Sequence, residues 1–239
     1  STIPGEYNED NNKVAQNDLA QVHLNNSGAE AIEAGMKFAR KFTGKTEMVA
    51  MNGSYHGKTL GALSITFNPK SRKAFKPLVE KVSFSPFGDI DKLRETVNDQ
   101  TAFIILEPIQ GESGIHVAPN GFLQDVRKLC DEKNILLIYD EIQAGLGRTG
   151  KMWAHQHWDT APDILCLAKG IAGGVPMGAT LVKPDILDCI SKGEHSSTFG
   201  RNTISCAAGT ATMQALTQDN LVENSSNIKK MFREGLDKL

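Results

Sequence analysis

The chain has 239 residues, 40% of them hydrophobic, and a formal net charge of −2 at pH 7. That is enough apolar material for one sizeable core and too much for a disordered chain. The near-neutral balance, without a long lysine or arginine run, argues against a nucleic acid or an anionic membrane surface as partner, and no stretch reaches the roughly 18 uninterrupted apolar residues of a membrane span.

Residues 1–20 are polar, rich in asparagine and acids, and are predicted to form a loop followed by the tail of a helix. Ser27 then stands three positions before Glu30, the spacing of a capping box, and Ile32, Met36 and Ala39 follow at helical intervals, so a helix is predicted over 28–42. Strand-like apolar runs follow at 48–50, 82–84, 102–106, 135–139, 164–168 and 179–182. Helical patterns fall between them, with Leu93 and Val97 giving a short one and Phe122, Val126, Leu129 and Cys130 a longer one. Such alternation predicts an α/β fold with a mainly parallel sheet and helices on both faces. Cys130, Cys166, Cys189 and Cys206 are widely spaced and form no C-x-x-C pair, a pattern of reduced, packed thiols that points to the cytoplasm.

Two of the apolar runs end in chemistry. The run over 135–139 leads into Asp140, Glu141, Ile142 and Gln143; the run over 164–168 leads into Lys169 and the glycine-rich stretch 170–174. Open α/β sheets bind ligands at the carboxyl ends of their strands, so a carboxylate and an amine are predicted to face one cleft. Lys169, flanked by apolar residues and glycines, is predicted to sit at a buried strand end where desolvation would favour the reactive neutral amine. Ser27, Gly28 and Ala29 open a helix, and a helix start offers unpaired N–H groups to an anion; Gly28 is predicted to let that anion approach the backbone.

The D-E-I-Q and L-A-K-G segments, the N-S-G-A-E start at 26–30, Tyr55-His56-Gly57, Glu107-Pro108-Ile109-Gln110-Gly111-Glu112 and Ser197-Thr198-Phe199-Gly200 occur in one order that resembles the class III aminotransferases of the acetylornithine and ornithine type, over about residues 25–216. The resemblance implies the large domain of a fold-type I enzyme using pyridoxal 5′-phosphate, with Lys169 as nucleophile and general base and Asp140 paired with the pyridine nitrogen. It further implies phosphate donors from Ser27, Gly28 and Ala29, an aromatic cover from Tyr55 beside His56, and a hydrogen bond from Gln143 to the phenolic oxygen. Glu107 and Glu112 fall in a substrate-facing loop, and Glu112 in relatives pairs with an arginine from the C-terminal region. By the same resemblance Thr198 is expected to reach the phosphate of a neighbouring subunit, which implies a homodimer. Here this chain departs from the family, reading Gly200-Arg201-Asn202-Thr203 where relatives commonly read G-G-N-P. The implied reaction is ping-pong transfer of an amino group from an acetylornithine-like or other ω-amino donor to 2-oxoglutarate, as in arginine or lysine biosynthesis. By the same comparison, 1–20 is the remnant of an N-terminal segment, 21–239 is the cofactor-binding large domain, and a C-terminal small domain lies outside the chain.

Other readings stand beside this one. Glutamate-1-semialdehyde aminomutase shares the fold and the lysine, although its motif typically carries threonine after Ser-Gly and another residue in place of Gln143. The 145–150 segment fits G-x-G-x-x-G, the dinucleotide fingerprint, but it follows its strand at a distance and opens no apolar helix. A chain that binds cofactor without turnover is a third reading. His155 and His157 lack a third ligand at a recognisable spacing, so they are predicted to be surface or rim histidines and no metal is expected.

Overall fold

The computed structural model of the chain describes residue 19 and residues 21–238. The predicted loop and helix tail over 1–20 thus lie outside the described residues, Leu19 excepted. In chain order the strands are β1 (Gln21–Asn25), β2 (Glu47–Met51), β3 (Val82–Ser85), β4 (Thr101–Leu106), β5 (Ile109–Gln110), β6 (His116–Val117), β7 (Leu136–Asp140), β8 (Ile164–Leu167) and β9 (Gly178–Val182). The helices are α1 (Gly28–Thr43), α2 (Leu60–Ser64), α3 (Pro69–Lys73), α4 (Ile90–Thr96), α5 (Phe122–Lys133), α6 (Pro184–Asp188), α7 (Thr203–Gln218) and α8 (Leu221–Leu236), with 3-10 turns at Ala154–His157 and Lys169–Ala172.

Seven strands form one sheet in the order β1-β9-β8-β7-β4-β2-β3. The pairs β2/β3, β2/β4, β4/β7 and β7/β8 are parallel, while β9 runs antiparallel to both β8 and β1. The central strands read as continuous apolar runs because both faces are covered, and every residue of β4 is buried. Alternate residues of β7 serve opposite sides. Ile138 joins a core built with Ile32, Phe38 and Ala39 of α1, whereas Leu137 and Tyr139 join one built with Leu123, Val126 and Leu129 of α5 and with Trp153.

Edge strand β1 is absent from the predicted runs. It is a five-residue segment with a part-buried, buried alternation, and only its pairing with β9 distinguishes it from a loop. Helix α1 extends one residue beyond the predicted end and stops where Gly44 turns left-handed (φ 67°), its N–H returning to the Arg40 carbonyl.

Candidate active site

Parallel strands share a direction, so the turns that leave β2, β4, β7 and β8 gather along one edge of the sheet. Asp140 is the last residue of β7, Lys169 lies two residues beyond β8, Glu107 follows β4 directly, and Tyr55 and His56 follow β2. Together with the start of α1 they line one cleft of about 450 Å³, which includes Ser27, Gly28, Ala29 and Gln143. Two predicted site residues are not brought there: Glu112 and Thr198 are both exposed and lie outside this cleft.

The start of α1 is built as its sequence requires. Ser27 is extended (φ −153°), its Oγ accepts the Glu30 N–H at 3.3 Å, and the Glu30 carboxylate returns to the Asn26 N–H at 2.8 Å. The N–H groups of Gly28 and Ala29 have no acceptor among the described residues, and both residues border the cleft, so they are available to an anion. A Cβ at Gly28 would fall 2.9 Å from Ile142 Cδ1, so the missing side chain makes room for Ile142 at the edge of the cleft.

Asp140 is 4% exposed and has both oxygens engaged. His56 Nδ1 donates to Oδ2 at 2.7 Å, and the Ile142 N–H donates to Oδ1 at 3.0 Å. His56 is itself anchored, its N–H donating to Thr66 Oγ1 at 2.9 Å, while its buried Nε2 has no partner among the described residues. Glu107 sits beside this pair, its Oε2 accepting the Tyr55 N–H at 3.2 Å. Burial pushes the Glu107 carboxyl up to about 7, with the Asp140 charge adding to the rise and His56 opposing it.

Lys169 corrects a prediction. It is exposed at the cleft, not buried at a strand end. The residue adopts a left-handed backbone (φ 51°) in the 3-10 turn that follows Ala168, a conformation that carries a steric cost and turns the chain sharply out of β8. Gln143 is also exposed at the cleft, its amide lying so close over Gly111 that a Cβ at 111 would land on it.

The predicted histidine pair splits in two. His157 is at the surface, near Thr149, but His155 is 1% exposed and pairs with Glu141 at 2.7 Å, which corrects its reading as a rim residue. Sequence spacing could not reveal this, since the partner lies 14 positions back in a different turn. No cluster of metal-ligating side chains occurs among the described residues. Two of the 145–150 glycines pack on α8: a Cβ at Gly147 would meet Val222, and one at Gly150 would meet Ser226. No helix among the described residues is long and apolar enough to cross a membrane.

The structure superposes on ornithine aminotransferase from Toxoplasma gondii, described with partial occupancy of PLP at its active site, with a TM-score of 0.94 at 32% identity, covering 100% of this chain and 58% of that one. The aminotransferase class-III family matches residues 4–239, and the chain belongs to it. Among curated relatives, acetylornithine aminotransferase from Methanopyrus kandleri is 45% identical over 219 residues, 92% of this chain and 56% of that protein. Ornithine aminotransferase 1 from Staphylococcus saprophyticus is 44% identical over 85% of this chain and 54% of its own length. The chain therefore spans a little over half the length of these relatives.

Proposed function

We propose that this chain is the cofactor-binding part of a pyridoxal-phosphate-dependent aminotransferase. The carrying observation is the convergence, in one cleft, of a buried carboxylate at the end of β7, an amine just past the end of neighbouring β8, and the unpaired N–H groups of a helix start. That donor set fits the cofactor: an aldehyde needs an amine, a pyridine nitrogen needs an acid, and a phosphate needs N–H donors. When bound, the cofactor supplies an electron-poor ring that stabilises negative charge on the substrate carbon.

In this reading Lys169 holds the cofactor covalently and, when released, carries the proton to and from the substrate carbon. Asp140 keeps a proton on the ring nitrogen, an adjacent negative charge favouring the cation. His56, donating to Asp140, keeps that carboxylate aimed. Ser27, Gly28 and Ala29 bind the phosphate, the Tyr55 ring covers the pyridine face, and Gln143 donates its amide to the phenolic oxygen. Glu107 and Glu112 serve the substrate side, Glu112 through an arginine outside this chain. Thr198 contributes to the phosphate site of a second copy in a homodimer, which accounts for its place outside its own chain's cleft.

The amino donor we infer is acetylornithine or a similar ω-amine of arginine or lysine biosynthesis, with 2-oxoglutarate as acceptor in a ping-pong cycle. Relatives named for acetylornithine and for ornithine support this donor class. The four free cysteines suit the reducing cytoplasm. The test is a pair of half-reactions followed by the cofactor's absorbance, one with acetylornithine and one with ornithine, each completed with 2-oxoglutarate. Spectral conversion by either amine supports the reading. A protein that binds the cofactor yet is converted by neither amine loses the donor assignment, and one that binds no pyridoxal phosphate loses the whole of it.

A further inference from the structure

Glu141 directly follows Asp140, yet its side chain turns into the core and is fully buried. Its Oε2 accepts the Ala154 N–H at 2.6 Å, and its Oε1 accepts both the His155 N–H at 2.8 Å and His155 Nδ1 at 2.7 Å. Three donors on one buried carboxylate are a complete, charge-assisted set. The Glu141 backbone is engaged as well: its N–H donates to Cys166 of β8 at 3.0 Å, and its carbonyl accepts the Gly145 N–H at 3.0 Å. His155 is held against Tyr139, their ring centroids 5.5 Å apart; its buried Nε2 has no partner among the described residues, and its Nδ1 bonds Glu141.

One residue thus closes the 141–145 turn and ties it to β8 and to the 154–157 turn. The turn is tight, since a Cβ at Gly145 would fall 2.8 Å from the Glu141 carbonyl oxygen. It touches three separate parts of the cleft. The Ile142 N–H orients Asp140 Oδ1, the Ile142 side chain fills the space beside Gly28 at the start of α1, and Gln143 itself lines the cleft. In the cofactor reading Asp140, the start of α1 and Gln143 would serve the ring nitrogen, the phosphate and the phenolic oxygen.

We propose that Glu141 and His155 are positioning residues, whose buried pair holds the 141–145 turn so that Asp140, the start of α1 and Gln143 engage one ligand in register. The proposal rests on the cofactor reading above. A simpler role, capping the 154–157 turn for stability alone, uses the same hydrogen bonds, so the test must read alignment apart from folding.

The protein is titrated with pyridoxal 5′-phosphate, and Kd, the visible circular dichroism of the bound chromophore and the thermal midpoint are measured for wild type, Glu141→Gln, His155→Ala and His155→Gln. Small misplacements at a bound reactive group change function on the order of tenfold to a hundredfold. Glu141→Gln and His155→Ala are therefore expected to weaken Kd by at least about tenfold and to lose or invert the visible dichroism at native far-ultraviolet dichroism. His155→Gln, whose amide can still donate to Glu141, is expected to recover most of both signals. Folded variants with wild-type Kd and dichroism would overturn the proposal, and so would unfolding of both Glu141→Gln and His155→Ala, which would make the pair a stability device. Wild type that fails to bind pyridoxal phosphate overturns the cofactor reading and this proposal with it; wild type that binds normally beside unchanged variants overturns this proposal alone.

Discussion

His56 Nδ1 lies 2.7 Å from Asp140 Oδ2, a fully buried contact between residues 84 positions apart in sequence. It joins the turn after β2 to the end of β7, so the aim of the Asp140 carboxylate depends on a strand two places away in the sheet. His56→Ala removes a charge-assisted hydrogen bond from a buried acceptor and is expected to cost roughly 1.5–3 kcal/mol of stability. His56→Asn, which retains a donor, should lose less. Urea unfolding of both variants reads the difference, and equal losses would mean that the ring's packing matters and the hydrogen bond does not.

Glu107 gives a pH dependence with a definite sign. Its folded-state pKa, about 7, lies above the ordinary value of 4.5, mainly because burial disfavours the charge. Below pH 4.5 both folded and unfolded states are protonated and the group is neutral to stability. Between about 4.5 and about 7 the unfolded chain releases the proton first, so stability falls as pH rises, by at most about 1.4 kcal/mol per pH unit from this group, and then levels off. Glu107→Gln removes the titration. The stability of the variant relative to wild type should rise across that window and stay constant above it, as read by denaturant titrations at several pH values. A flat difference would show that the carboxyl titrates alike in both states.

Lys169→Ala should abolish the covalent chromophore formed with pyridoxal phosphate, seen as loss of the visible band and of the borohydride-trapped adduct. The left-handed backbone at this position (φ 51°) adds a second expectation. A non-glycine residue there costs about 1–2 kcal/mol, against roughly 0.4–1 kcal/mol by which alanine lowers unfolded-chain entropy relative to glycine. Lys169→Gly should therefore unfold at an equal or higher denaturant concentration than Lys169→Ala. A clearly less stable glycine variant would contradict the strained backbone.

Gly28→Ala places a methyl 2.9 Å from Ile142 Cδ1 and 3.1 Å from its Cγ2. Overpacking of this kind costs about 1–3 kcal/mol. Shrinking the neighbour should relieve it, so Gly28→Ala combined with Ile142→Val should recover part of the loss in a double-mutant cycle. Additive losses would show that the two side chains do not compete for the same space.

Thr198 is exposed in the single chain, and its segment is tied to the turn before α1 by Asn26 Nδ2 donating to Ser197 Oγ at 2.8 Å. If it serves the phosphate of a second copy, Thr198→Ala should speed phosphate-cofactor loss from the dimer and leave the monomer unchanged. Dissociation rates measured at concentrations above and below dimerisation test this, and equal effects in both states would remove the shared site.

The parts legible from the sequence share one property: each depends on neighbours close along the chain. Ser27 caps α1 because Glu30 is one turn away, and the strands carrying Asp140 and leading to Lys169 announce themselves as short apolar runs bounded by turn-forming residues. The strand ends marked Asp140 and Lys169 as side chains of one cleft, which they line, whereas Glu112 and Thr198 lie outside it. What the sequence left out were partners brought together from afar. Asp140 and His56, Glu141 and His155, and Gly28 and Ile142 meet only after the sheet forms, and no periodicity records which loop a given strand end will face.

Residue type and spacing thus established the α/β alternation, the capped helix start, and the acid and amine that end two strands. Burial and contact established the rest: that Lys169 stands exposed, that His155 is internal, that Gly28 yields its space to Ile142, and that burial raises the Glu107 carboxyl above its ordinary value. The division follows from range. Backbone propensity and capping act within about one helical turn, whereas solvent exclusion and electrostatic coupling act between groups that the strand order alone makes neighbours.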